Sequence, residues 1–448
     1  MVTESEVKPQ TPEAAAQLTS KIEAYRAAAI ADACEGLGVL RLLYRRQMTA
    51  PAVVDKLGLD PEVGGELLDT AVHLRLLHRT DTDGSKGYYA SPIGMAYNSA
   101  LQPHELPSVE RELLQNLKTG RRTSYAIFEA VNTGLPEVMR DGRVGIDQIR
   151  DGMRGTDIDA MMESLMRSGI VDRTSGKYGL TKIGYGLWGE VPNSQAAMAQ
   201  LFSTNTRAWE QLTHTIKTGN PSFDQAYGVG FWDYIRQHPD VGKIFYDAMS
   251  ERLGARLPAA LAAYDFTLEP GEEIHDIGSG VGEFAAGVLN LPQNRGATGV
   301  LFDKPEVAAA AKELIRKRGL EGRARFQEGN FFEGVPEGRG MRLLSAVLHD
   351  YRYPDAARIL ANIRRVMATG DRLAILEFVL PPVDEIPLSV DGSLNPALSY
   401  KWHMRVVVGG VERTEEQFRG LLTNTGFNLN RVVPTRIPGM AVIEALPV

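Results

Sequence analysis

The chain has 448 residues, 43% hydrophobic and 23% charged, with a formal net charge of -7. That length implies two or three domains with ample surface to bury, and the acidic balance argues against a nucleic-acid or anionic-membrane partner. Cys34 is the only cysteine, which excludes an internal disulfide and points to a reducing compartment. Met1 to Gln10 is polar and lacks a signal-peptide core, and no apolar run is long enough to span a bilayer, so a cytoplasmic location is expected.

Residues 1–105 read as a first module. Ala27 to Leu43, Ala50 to Leu57 and Pro61 to Leu77 carry apolar residues at helical spacing. Leu77-His78-Arg79-Thr80, a polar Gly-containing turn and Tyr88-Tyr89-Ala90-Ser91-Pro92 then predict a short hairpin. Three helices and a β-wing make a winged helix. The pattern returns over residues 106–190. Ala126 to Met139, Gly145 to Gly152 and Thr156 to Ser168 predict helices, and Val171 to Thr174 with Tyr178 to Thr181 predict a second wing. Arg79-Thr80 answers Arg173-Thr174, and Tyr88, Ser91, Ile93 and Gly94 answer Tyr178, Thr181, Ile183 and Gly184, which points to a tandem duplication. Residues 191–260 read as an aromatic-rich helical connector. From 261 to 448 strands and helices alternate, the signature of a mainly parallel α/β sheet. Its later strands are expected at Arg323 to Gln327, Met341 to Leu348, Arg372 to Leu380, Leu429 to Thr435 and Ala441 to Leu446, the last two as an antiparallel hairpin.

The strand Ile274-His275-Asp276-Ile277 runs into Gly278, Gly280 and Gly282 and then a helix. Roughly twenty residues on, Gly299 to Phe302 ends in Asp303, an acid suited to two ribose hydroxyls. A dinucleotide fingerprint wants a third Gly after two intervening residues, three positions beyond Gly280, so that a pyrophosphate can sit on the helix N-terminus. Glu283 stands there instead. An acid repels a pyrophosphate and tolerates S-adenosylmethionine, which has a sulfonium, an ammonium and no phosphate. Asp276, Gly278, Gly280, Gly282 and Asp303 are therefore candidate cofactor contacts. Asn330 and Phe331, after the third strand, are placed to read and cover an adenine.

His349 ends the fourth strand at the mouth of that site. Methyl transfer to a hydroxyl requires the oxygen to lose its proton, and a histidine has a pKa near operating pH. Carboxylates orient such a ring, and two are available. Glu377 lies in the apolar strand Ala374 to Leu380, and Glu412 lies in Gly409-Gly410-Val411-Glu412-Arg413-Thr414, before a helix that Thr414 and Gln417 should cap as a box. Asp350 reads as structural. His73, His78, His104 and His214 have no metal-ligand spacing, and no metal is expected.

With these motifs the chain resembles the S-adenosylmethionine-dependent O-methyltransferases of the caffeic acid and hydroxyneurosporene type, which include many bacterial natural-product tailoring enzymes. The shared motifs are the glycine loop, Gly329-Asn330-Phe331-Phe332, Leu348-His349-Asp350-Tyr351, Glu377 in its strand and Gly409 to Thr414. Thr218-Gly219-Asn220-Pro221, Phe231-Trp232-Asp233-Tyr234 and Phe245-Tyr246-Asp247-Ala248-Met249 match the family's connector. The resemblance implies a C-terminal Rossmann-like class I methyltransferase domain of the α/β class behind winged-helix modules. It implies S-adenosylmethionine as cofactor, a small aromatic substrate, His349 as general base flanked by Glu377 and Glu412, and a homodimer formed through the N-terminal module. It places Met249, Trp402 and His403 where the family lines its substrate pocket; packing is the alternative for each. The chain departs from the pattern at Asn330, which replaces an acid near the adenine, at Ser345, which replaces a lysine of plant members, and in its second winged-helix module.

Two other readings were open on the sequence. Paired winged helices could bind DNA, but Pro61 to Leu77 and Thr156 to Ser168 carry several acids and few bases. The same fold can also methylate carbon or nitrogen.

Overall fold

The computed structural model describes residues 11–82, 85–153, 158–191 and 194–448. The chain divides into two compact units, Met1–Glu251 with Ile386–Val407, and Arg252–Glu385 with Val408–Val448. The segment that crosses back carries a helix, Pro396–Val407, which therefore belongs to the helical unit and not to the α/β domain expected from 261 onward.

The helical unit is organised on two helices of 25 residues, Pro12–Gly36 and Ser108–Asn132. Buried Ser124 ties them, accepting from the Tyr25 N–H at 3.0 Å and donating to the Lys21 carbonyl at 2.9 Å. The first helix starts well before the expected Ala27. Thr11 caps it and Pro12 occupies its first position, where a missing N–H costs nothing. It stops at Gly36, ahead of Gly38 at φ +80°. The stretch expected as Ala126–Met139 is the end of the second long helix plus a short turn, Leu135–Val138, separated by left-handed Gly134. The third helix of the second module runs over Ile158–Arg167; Thr156, the Asp83-Gly84 turn and Met1 to Gln10 lie outside the described residues.

Strands β1 (Met48–Thr49), β2 (Leu77–Thr82) and β3 (Ser85–Ala90) form one small sheet, and β4 (Val171–Thr174) pairs with β5 (Lys177–Leu180) in another. The two hairpins share atomic detail. Ser91 N–H donates to the Leu76 carbonyl, and Thr181 N–H to that of Ile170. Each hydroxyl then donates one residue earlier, to Arg75 and to Gly169, and accepts the N–H of Gly94 and of Gly184. A Cβ on Gly94 or Gly184 would lie 2.1 Å from the same Leu76 or Ile170 carbonyl oxygen, so only glycine fits at either place.

The α/β unit holds β6 (Glu273–Ile277), β7 (Thr298–Asp303), β8 (Ala324–Glu328), β9 (Gly340–Ser345), β10 (Arg372–Leu380), β12 (Phe427–Pro434) and β13 (Met440–Pro447). The sheet order is β12-β13-β10-β9-β6-β7-β8, and the two-residue β11 (Arg413–Thr414) pairs with the end of β10. Strands β6 to β10 are parallel, and β13 is antiparallel to β10 and β12. Buried on both faces, β9 and β10 read as near-continuous apolar runs. The expected strand Met341–Leu348 is shorter, because Ala346 adopts φ +54° and turns the chain out of the sheet after Ser345.

A histidine lies inside this sheet with no hydrogen bond, the Glu273 carboxylate standing 3.5 Å from its Nε2. His275 of β6 is fully buried, and neither ring nitrogen makes a hydrogen bond. Burial, and next the Arg342 guanidinium on the neighbouring strand, lower its pKa to about 4. The unfolded chain therefore binds a proton that the folded chain refuses below pH 6.5, and stability falls as pH drops from there toward 4. The expected loss is on the order of 3 kcal/mol. Urea unfolding at stepped pH should show a shallower acid slope for His275→Leu than for the unchanged protein; equal slopes would rule out this origin.

Candidate active site

The carboxyl ends of β6 and β7 shape the glycine loop. Gly278 and Ser279 N–H groups both donate to the Phe302 carbonyl. Asp303 holds the loop from the other side, accepting the Gly280 N–H at 2.7 Å on one oxygen and the Lys304 N–H at 2.7 Å on the other. Asp276 accepts the Ala285 N–H at 3.2 Å, inside the first turn of helix Glu283–Leu289. Burial pushes the Asp276 pKa up to about 7 and raises that of Asp303. Gly282 is required by sterics: its φ is +94°, and a Cβ there would meet Leu301 at 2.0 Å. A Cβ built on Gly278 would touch Val347 and lie 3.6 Å from the Phe331 ring, so the loop and the Phe331 segment meet. Asn330 turns inward on its own loop, accepting from Phe332 N–H and donating to Glu333. Ser345 ends β9. The donor set around the loop is acidic and suits a cationic nucleoside better than a pyrophosphate. Glu283 contributes less to this than its position suggests, because Arg318 pairs with it at 2.6 Å.

Beyond Ser345 the turn at Ala346 aims three successive N–H groups at one point. Those of Val347, Leu348 and His349 donate to Glu377 Oε1 at 3.0, 2.9 and 3.3 Å. Such a nest of backbone donors is what allows an acid to sit in the apolar strand β10. The loop after Val408 closes over this turn. A Cβ on Gly410 would lie 2.1 Å from the His349 carbonyl oxygen, and that carbonyl accepts the Val411 N–H. Arg413 spends N–H groups on the carbonyls of Leu348, Val411 and Tyr351. The result brings His349, Glu377 and Glu412 together, all buried. His349 Nδ1 is 2.8 Å from Glu412 Oε1 and 3.4 Å from Glu377 Oε2, which leaves Nε2 as the nitrogen free to take a proton. Nε2 faces the Asp350 carboxylate at 3.6 Å.

Burial alone would lower the His349 pKa, but the carboxylates of Glu377, Glu412 and Asp350 outweigh it and raise it to about 10. Burial in turn raises Glu377 and pushes Asp350 up to about 7, with the His349 charge opposing in both cases. A neutral Nε2 in this setting is a strong base, because the flanking acids stabilise the imidazolium that forms.

Comparison with known proteins shows the family of the chain. The O-methyltransferase domain family matches residues 209–428. An O-demethylpuromycin O-methyltransferase of Streptomyces alboniger is 33% identical over 345 residues, covering 75% of this chain and 89% of that protein. The chain belongs to this O-methyltransferase family. The solved structure of the mitomycin 7-O-methyltransferase MmcR superimposes with a TM-score of 0.68 at 28% identity, covering 75% of this chain and 97% of that one. A neocarzinostatin-pathway O-methyltransferase shares the fold at 23% identity and a TM-score of 0.64, over 73% and 96% of the two chains; it was solved with S-adenosylmethionine and 2-hydroxy-5-methyl naphthoic acid. S-adenosylmethionine is the methyl donor of this family.

The three residues singled out for the methyl acceptor lie in the helical unit. Trp402 is enclosed, and its indole N–H donates to Thr70 at 2.8 Å. His403 meets Arg26 through Nδ1 at 3.2 Å and the Phe202 ring edge-on. Met249 is half-buried in helix Pro239–Ala263. The sequence reading missed the facing of Asp350 toward His349 and the bracing by Arg413 and Gly410. The Gly409-Gly410 pair was the available signal, since two adjacent glycines beside a catalytic motif mark a close backbone approach.

Glu377→Ala leaves three buried N–H groups without an acceptor and should cost at least about 3 kcal/mol in urea unfolding. Glu377→Gln keeps an acceptor oxygen there and should cost clearly less. Equal losses in the two variants would mean that the backbone cradle is not what the side chain supplies.

Proposed function

We propose that the protein transfers a methyl group to a hydroxyl of a small aromatic molecule, with His349 Nε2 as the general base. The observation that carries this is the His349 ring held at Nδ1 by Glu412 and Glu377, which in the neutral ring keeps the proton on Nδ1 and presents the Nε2 lone pair. When bound, S-adenosylmethionine supplies a methyl carbon already activated on a positively charged sulfur. The chain's own residues do the rest. Asp276, Gly278, Gly280, Gly282, Asp303, Asn330, Phe331 and Ser345 would hold the donor, with Asp303 at the ribose. Nε2 removes the hydroxyl proton as the oxygen attacks, and Glu412 and Glu377 balance the imidazolium charge. Asp350 faces the same nitrogen, and we assign it to positioning the acceptor oxygen beside Nε2. A phenol suits such a base, since its pKa of about 10 lies close to that of the carboxylate-stabilised imidazolium.

Trp402 and His403 we assign to packing: Trp402 Nε1 and His403 Nδ1 are engaged inside the helical unit, with Thr70 and Arg26. Met249 remains our candidate for the acceptor's aromatic ring. The shared hydrogen-bond pattern of the two hairpins supports a duplicated winged-helix module, and the relatives' coverage of about three-quarters of the chain fits an additional module. We further propose a cytoplasmic homodimer.

His349→Ala should bind S-adenosylmethionine with unchanged affinity in calorimetry. Its turnover on a panel of hydroxylated aromatics should fall by about three orders of magnitude. Full turnover in that variant would remove the base assignment.

A further inference from the structure

The catalytic cluster contains two buried carboxylate oxygens that make no hydrogen bond. They are Glu377 Oε2, which reaches His349 Nδ1 only at 3.4 Å, and Glu412 Oε2; Glu377 Oε1 and Glu412 Oε1 by contrast are hydrogen-bonded. A buried carboxylate oxygen without a hydrogen bond is costly and calls for a cation or a proton. We propose that His349, Glu377 and Glu412 form a binding site for a divalent transition-metal ion of the zinc type, and that the bound ion switches the methyltransferase off.

The donor set fits. One imidazole nitrogen and two carboxylate oxygens are a common ligand set for such ions, and one atom from each of the three residues can be chosen so that all lie within 4.8 Å of one another. Zinc bonds of about 2.0–2.2 Å in a tetrahedron place neighbouring ligand atoms about 3.3 Å apart. His349 Nδ1 and Glu377 Oε2 are already separated by 3.4 Å, and Nδ1 and Glu412 Oε1, now hydrogen-bonded at 2.8 Å, need to part only slightly. Glu377 can ligate through Oε2 while Oε1 keeps its three backbone donors, so the cradle need not be dismantled. Charge points the same way. Two carboxylates with an imidazolium carry -1 in total, whereas two carboxylates, a neutral imidazole and a divalent ion carry zero.

Inhibition follows from the tautomer. In the working state the proton sits on Nδ1, facing Glu412, and Nε2 is free to accept. The ion binds Nδ1. From the imidazolium, one proton leaves Nδ1 for solvent, and Nε2 keeps the other. The nitrogen that faces the acceptor then carries a proton and cannot take one. Uptake of the ion stands independently of the reaction, while the inhibition rests on His349 being the base.

Cobalt(II) titration of the full-length protein tests both halves, with cobalt standing in for zinc. Without donor or acceptor present, one equivalent should give the visible absorption of a low-coordinate cobalt site, and zinc should bleach it. His349→Ala and Glu412→Gln, each checked for native circular dichroism, should lose that absorption; should either fail to fold, Glu377→Gln serves the same purpose. No stoichiometric absorption, or absorption that the folded variants retain, overturns the site. In the unchanged protein, zinc should abolish methyl transfer to a phenolic acceptor, and EDTA should restore it. A cobalt site that zinc occupies without loss of turnover overturns the switch and leaves the site standing.

Discussion

A single carboxylate oxygen, Glu377 Oε1, organises the reactive end of the sheet. It gathers the N–H groups of Val347, Leu348 and His349, and so fixes the turn by which the chain leaves β9. Without an anion at that point three buried donors would have nothing to bond, and the turn would have no reason to hold its conformation, which includes Ala346 at positive φ. Everything else at the site builds on that turn. The Gly410 backbone approaches it because no Cβ intervenes, Val411 bonds to the His349 carbonyl, and Arg413 ties down the flanking carbonyls. Glu412 arrives beside the ring as a consequence.

The same arrangement is electrostatically uneven. Three carboxylates surround one buried imidazole, and burial pushes two of them up in pKa. A core built only for stability would not gather acids in this way. The strain is tolerable because Glu377 is solvated by backbone donors and Glu412 by the ring, which leaves one oxygen of each without a hydrogen bond. Function and a latent affinity for cations therefore have the same origin: charge concentrated to make Nε2 basic also makes the cluster attractive to an ion of higher charge.

Much of this was legible in the sequence, for specific reasons. Glycine at Gly278, Gly280 and Gly282 and an acid at Asp303 mark backbone geometry directly, and an acid in the apolar run around Glu377 is a local anomaly that only a site explains. What was not legible was assignment to a body. The helix Pro396–Val407 was expected inside the α/β domain because it follows β10 in the chain, yet Arg405 pairs with Glu62 and Glu66, Lys401 with Glu66, and Trp402 with Thr70. Helical periodicity states that a face is buried and not what buries it. Asp350 was read as structural for a similar reason, since its meeting with Nε2 depends on a short 3-10 turn that no periodicity reports.

The paired hairpins raise a question about similarity itself. Ending a helix, entering a strand and returning through a wing is a problem with few solutions, and a left-handed residue, a capping hydroxyl and a glycine pressed on a carbonyl form one of them. Ser91 with Gly94 and Thr181 with Gly184 match in what they do, so shared constraint alone could have produced them. Arg79 and Arg173 are different. They hold corresponding places beside a threonine and opposite a tyrosine that each engages, yet Arg79 does so together with Asp69, its ion-pair partner, while Arg173 lies over the Tyr178 ring. Physical constraint explains equal residues doing equal work. Equal residues that reach the same neighbour through different partners are better explained by descent, and they are the stronger support for reading the second module as a copy of the first.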